Sequence, residues 1–194
     1  MKKLFIVCLS MFFISSCTTV VSKNQSHAKA QRETIVSSGK PSKVLPAFTT
    51  FAWSDEYSKI LSTKDVKNKL QVKNHIKKQI IRYLKTKGYI YQPDPIQADV
   101  VIGFLFALNN DIADANIQAK FGLLPGVSSK GVDKNRYAKG TFFLTVLDNK
   151  LKIVYWRSVM QGFVNMDKVI ENSNGNRFQF ILAQMMGEFP LAGQ

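Results

Sequence analysis

Residues 1–17 set the terms for everything after them. Lys2 and Lys3 precede an apolar run from Leu4 to Ile14, and Ile14-Ser15-Ser16-Cys17 closes it with small residues and a cysteine. The run has 11 residues. At about 1.5 Å per residue it cannot cross a hydrocarbon core of about 30 Å as a helix. It reads as the centre of a signal peptide, residues 1–16, which is removed and plays no part in the fold.

The closing tetrapeptide is similar to a bacterial lipobox, in which the cysteine sulfur takes a diacylglycerol before cleavage. The likeness implies a mature chain that begins at a lipidated Cys17. The competing reading is an ordinary secretory signal with an incidental cysteine. One acyl chain binds a membrane only marginally, at about 0.8 kcal/mol per buried methylene, whereas several chains hold essentially permanently. Residue 18 is Thr. In well-studied enteric lipoproteins an Asp there favours the inner membrane, so the likeness points to the periplasmic side of the outer membrane.

This leader decides the cysteine chemistry. The two cysteines are Cys8 and Cys17. The first leaves with the signal and the second is lipidated, so no disulfide or free thiol remains even in an oxidising compartment. Stability must come from apolar packing, and one domain of this length can supply it. The formal net charge is +14, and loss of Lys2 and Lys3 lowers it by two. Such a bias raises affinity for anionic surfaces. For an exported chain these are phospholipid headgroups, lipopolysaccharide and cell-wall polymers such as peptidoglycan, rather than nucleic acid.

Residues 17–46 are rich in Ser, Thr, Lys, Gln and Asn, with Pro41 and Pro46. No period of two or 3.6 survives, so the segment reads as a flexible tether. The folded domain, residues 47–194, opens on the short strand Phe48-Thr49-Thr50-Phe51-Ala52-Trp53. Residues 54–62 read as a polar loop. A long helix is expected from Thr63 to Lys87, ended by Gly88. Leu70, Val72, Ile76, Ile80, Tyr83 and Leu84 lie on its apolar side.

Beyond the Pro93-Asp94-Pro95 turn, residues 98–108 read as a strand, with Gly103 and Ala107 on one face small enough for close approach. Residues 109–136 form a long irregular connection. Gly140–Leu147 and Lys152–Phe163 are strands of a hairpin reversed at Asp148-Asn149-Lys150. A last helix runs from Gly175 to Glu188, with Phe178, Ile181, Leu182, Met185 and Phe189 as its core stripe. The expected fold is α+β: a mostly antiparallel sheet of about four strands, two helices on one face, in the order β-α-β-β-β-α.

Three pieces in this order resemble the bacterial lipoproteins of the domain-of-unknown-function 4136 (DUF4136) family. They are Phe48–Trp53; Lys87-Gly88-Tyr89 followed by Ala98-Asp99-Val100-Val101-Ile102; and Gly140–Asp148 followed by Ile153-Val154-Tyr155-Trp156-Arg157. A final helix ending Phe189-Pro190 also fits. The chain departs from the pattern at Ser158, where the family often has Gly, and in its unusually basic helix. The resemblance implies a fold and an envelope location but no activity.

Candidate chemistry is sparse. His75 as a catalytic base would stand among Lys73, Lys77 and Lys78 with no carboxylate one helical turn away to orient it. Asp94 and Asp99 have the positions of a turn residue and a strand entrance. No spacing suggests a metal site or a phosphate loop, so no cofactor is expected and a non-enzymatic role is. A hydrolase of cell wall or lipid through His75 is the weakest alternative.

On the long helix, Lys67, Gln71, Asn74, Lys78, Arg82 and Lys85 recur at steps of three and four. The cations Lys67, Lys78, Arg82 and Lys85 make this polar stripe a candidate face for anionic surfaces, although a solvated face on a basic protein has the same pattern. Lys69, Lys73 and Lys77 flank the apolar side and are expected to snorkel. A second reading is a subunit of an envelope assembly. It rests on Trp53, Tyr57, Trp156 and Arg157, residue types enriched where proteins meet, and on Phe121-Gly122-Leu123-Leu124-Pro125, which either offers an apolar contact or folds back on the sheet.

Overall fold

The computed structural model describes residues 32–40, 45–61, 69–108, 114–123, 125–165 and 175–194. The described elements are strands β1 (Glu33–Gly39), β2 (Thr50–Leu61), β3 (Ile90–Tyr91), β4 (Val100–Leu108), β5 (Tyr137–Asp148) and β6 (Val154–Asn165), and helices α1 (Lys69–Thr86), α2 (Asp114–Phe121) and α3 (Gly175–Met185). The strands form one sheet in the order β1-β6-β5-β4-β2-β3.

The α+β class stands, but the sheet is larger and less antiparallel than the sequence suggests. β4, β5, β6 and β1 pair antiparallel, whereas β2 runs parallel to both β4 and β3. The cause is the helix between β2 and β4. An 18-residue helix returns the chain about 27 Å, close to the roughly 30 Å of a nine-residue strand. The next strand therefore starts at the same end as the last, as a helical crossover requires.

Two polar stretches turn out to be strands. The tether expectation fails at β1, an edge strand whose Ile35 and Val36 are half-buried. Such a strand needs few apolar residues because only one edge is paired. Of the loop expected at 54–62, residues 54–61 are instead the second half of β2, and residue 62 lies outside the described residues. A register shift between Trp53 and Ser58 keeps this half paired with β4 while bulging the chain. Tyr57 rides over Gly103, where a Cβ would lie 2.7 Å from Tyr57 Cβ and 2.8 Å from its carbonyl oxygen.

α1 and α3 cover one face, as expected. Ile76, Ile80, Leu84, Leu182 and Met185 meet Phe51, Trp53, Ile102, Phe104, Leu144 and Trp156 there. Leu70, expected in this core, is 70% exposed. The third helix, α2, lies on the opposite face, where Ile117 and Leu123 pack on Phe143 and Val159. The described part of the 109–136 connection thus folds back on the sheet. Val127 and Val132 extend the cover against Phe163.

The short motifs act as clasps. Asp99 Oδ2 accepts the N–H groups of Thr49 and Thr50 at 2.8 Å each and the Thr49 hydroxyl at 3.0 Å, while Asp99 N–H donates to Thr50 Oγ1. Gly88, at φ +89°, closes α1 with bonds from Gly88 N–H to Lys85 O and Tyr89 N–H to Leu84 O. Lys87 Nζ reaches the Met186 carbonyl at 3.0 Å, and Tyr89 OH donates to Pro190 O. Ser158 Oγ meets Ser37 Oγ at 2.6 Å, which gives this buried hydroxyl a partner on β1.

Partial burial raises the Asp99 pKa, but the Thr49 and Thr50 donors outweigh it and hold the carboxyl below its usual range. A depressed native pKa gives stability that is present above the unfolded value of about 3.9 and is lost as pH falls through the native value. Asp99→Ala is expected to cost about 2 kcal/mol at neutral pH, after allowance for solvent screening. Urea unfolding should show that cost shrinking as pH drops below about 4. A pH-independent cost would mean that the carboxylate charge contributes nothing.

Candidate anionic-surface face

α1 carries no acidic residue between Lys69 and Thr86. Packing of Ile76, Ile80 and Leu84 against the sheet fixes which way its cations point. Lys78, Arg82 and Lys85 come out exposed on one side, around a shallow depression lined also by Gln79, Ile81 and Thr86. None of the three makes an ion pair among the described residues. Lys67 lies outside the described residues, as does Cys17.

Two of the three flanking lysines, Lys73 and Lys77, lie against β2, whereas Lys69 is exposed. Lys73 Nζ lies 2.9 Å from Asp55 Oδ1, and Lys77 Nζ sits 5.6 Å from the centre of the Trp53 ring. The Lys73 hydrogen bond is the largest influence holding the Asp55 carboxyl below its usual range; slight burial opposes it, and the Trp53 indole and Lys77 add to it. β2 therefore neutralises one side of α1 and leaves the Lys78–Arg82–Lys85 side bare.

Gln79 is a polar residue on the apolar side of α1, three positions after Ile76 and four before Tyr83. It is buried, and Gln179 Nε2 donates to both its carbonyl (2.9 Å) and its side-chain oxygen (2.8 Å). This pair locks α3 to α1 and holds the cationic side outward. That spacing from Ile76 and Tyr83 was the signal that the sequence held.

The other candidates disperse. His75 Nε2 is buried with no hydrogen-bond partner among the described residues. No group of three or more His, Cys, Asp or Glu gathers there that could hold a metal ion. Asp94 accepts from Ile96 N–H and Gln97 Nε2, a turn role, and Asp99 serves the clasp described above. Trp53 and Trp156 are both core. Tyr57 and Arg157 instead border a groove on the opposite face of the sheet. No described helix is long and apolar enough to cross a membrane, which says nothing about strands.

A family model described as "Domain of unknown function (DUF4136)" matches residues 36–191. No curated protein matches the chain. Among solved structures, a DUF4136 family protein from Bacteroides thetaiotaomicron aligns at 15% identity and TM-score 0.51, covering 84% of this chain and 98% of that one. A PelC dodecamer from Paraburkholderia phytofirmans aligns at 9% identity and TM-score 0.45, covering 84% and 100%. A PDZ domain protein from Parabacteroides distasonis aligns at 17% identity and TM-score 0.45, covering 88% and 39%. The first likeness is one of fold.

Proposed function

Since the chain belongs to the DUF4136 family, we propose that it is a non-catalytic binding or scaffold module of the bacterial cell envelope. In this reading Cys17 carries the lipid that anchors it to the periplasmic side of the outer membrane. The observation that carries the binding role is the bare side of α1: three exposed cations, no ion pair among the described residues, and no acid on the helix. The surface it meets is anionic: lipid, lipopolysaccharide or peptidoglycan. The leader and lipobox support the anchor, and the scattered positions of His75, Asp94 and Asp99 support a role without catalysis.

The magnitudes suit a tethered domain. Each cation near an anionic membrane surface contributes about 1 kcal/mol, so the trio contributes about 3 kcal/mol at low salt. Tethering raises the effective concentration of the surface, so a modest intrinsic affinity suffices. Screening shortens the reach of these charges to about 8 Å at physiological salt and about 3 Å at 1 M.

The test is co-sedimentation of residues 18–194, without lipid, with anionic vesicles, lipopolysaccharide and peptidoglycan. Lys78→Ala/Arg82→Ala/Lys85→Ala is expected to lower binding to at least one of them by about tenfold or more at low salt. The difference should vanish near 1 M salt. Equal sedimentation of variant and parent at low salt would reduce the trio to a solvated face.

A further inference from the structure

Among the described residues, the second face of the sheet is covered only in part. α2 ends over Phe143, with the Phe121 and Phe143 rings 4.2 Å apart. Beyond that point Leu105, Leu147 and Val154 line an open groove of about 500 Å3 that runs to the Tyr57 bulge. This lies within the roughly 300–1,000 Å3 of small-molecule sites. Its rim is cationic: Lys59 from β2, Lys120 from α2 and Arg157 from β6 face a single acid, Glu56. Arg157 Nη1 donates to the Phe121 carbonyl at 3.0 Å, which seats the guanidinium at the end of α2.

Two features of the floor narrow the occupant. The floor's hydroxyl, Thr145 Oγ1, already donates to Trp156 O, so the floor itself offers a sugar ring no free donor and suits an apolar chain better. The strands beneath, β4 and β5, are paired on both sides. A peptide laid there would lose water from its amides without replacing those bonds. A hydrocarbon chain has no such cost, and the rim supplies cations for an anionic head. We propose that this groove binds a long-chain fatty acid, with the acyl chain on Leu105, Leu147 and Val154 and the carboxylate at Arg157, Lys59 and Lys120.

The site is separate from the α1 face, and so is its test. The full chain, held in discs of neutral phosphatidylcholine, is irradiated with palmitate bearing a diazirine in its tail, and labelled residues are located by mass spectrometry. Labelling is expected on β4 and β5 around Leu105 and residues 143–147. Lys59→Glu/Lys120→Glu, both exposed positions, should reduce it by about fivefold or more, as should replacing the acid by the alcohol of the same chain. Lys78→Ala/Arg82→Ala/Lys85→Ala should leave it unchanged. Circular dichroism should show the reversed-charge variant folded like the parent.

Several results would overturn the proposal. They are no labelling, labelling spread over the chain, equal labelling by the alcohol, and equal labelling of the reversed-charge variant. Labelling by a diazirine-tailed anionic phospholipid but not by the free acid would assign the groove to bilayer lipid. Binding of an acidic peptide, with no labelling by the acid, would assign it to a protein partner.

Discussion

Trp156→Ala is expected to destabilise the fold by about 3–5 kcal/mol, the range for emptying a buried aromatic site. Trp156 is buried between the sheet and α3, and its ring lies 6.1 Å from that of Phe189. Its indole N–H donates to the Met185 carbonyl at 3.0 Å, at the end of α3. Ser37 Oγ donates to the same carbonyl at 3.2 Å, so truncation removes one of its two donors and leaves a cavity. Trp156→Phe fills most of that cavity and should cost less, with about 1 kcal/mol of it from the lost hydrogen bond. Urea unfolding followed by far-ultraviolet circular dichroism measures both. A loss below about 1 kcal/mol for the alanine variant would show that α3 does not depend on this anchor.

Gly39→Ala is the second large effect, and it depends on the first residue. A Cβ at Gly39 would lie 2.1 Å from Trp156 Cε3 and 2.6 Å from Cζ3. Neither the indole nor β1 can stay in place, and overpacking of this kind costs about 1–3 kcal/mol. If the clash is the whole cause, Trp156→Leu removes it. Gly39→Ala added to Trp156→Leu should then cost little, and the double-mutant cycle should show a coupling above about 1 kcal/mol. Additive costs would place the requirement for glycine in the β1 backbone instead.

The elements legible in the sequence were those with a strong apolar period on a buried face. The alternation of Val100, Ile102, Phe104, Phe106 and Leu108 marked β4, and the Asp148 turn marked the β5–β6 hairpin. The 3.6 period placed Ile76, Ile80, Leu84, Leu182 and Met185 in the core. Edges were illegible because one-sided pairing demands so little. Ile35 and Val36 are the only large apolar residues of β1, and the polar half of β2 looks like a loop once its bulge breaks the alternation. The parallel pairing was latent in the strand–helix–strand order, since a helix about as long as its strands returns the chain to its starting end.

The candidate face was legible for a similar reason. Lys78, Arg82 and Lys85 follow the helical period, and the exposed side of α1 carries them as spaced. The groove was not legible. Its rim comes from β2, α2 and β6, separated by long stretches of chain, and only the sheet register brings Lys59 beside Leu105 and Arg157 beside Thr145. Arg157 stood out as a residue type, but nothing nearby in sequence indicated its position at the end of α2.

The pairing of β1 with β6 also sets an order of assembly. The β5–β6 hairpin closes over a short turn, while Ser37 and Ser158 meet across 121 positions. Loop closure makes near contacts fast and distant ones late. β1, the first of the described strands to be made, is therefore expected to be the last to be paired, with β6 presenting an unpaired edge during the interval. Amide exchange during refolding should protect β5 and β6 before β1. Crowding in that interval, when strands of separate chains can add to the open edge, is the condition under which this domain would be lost to aggregation.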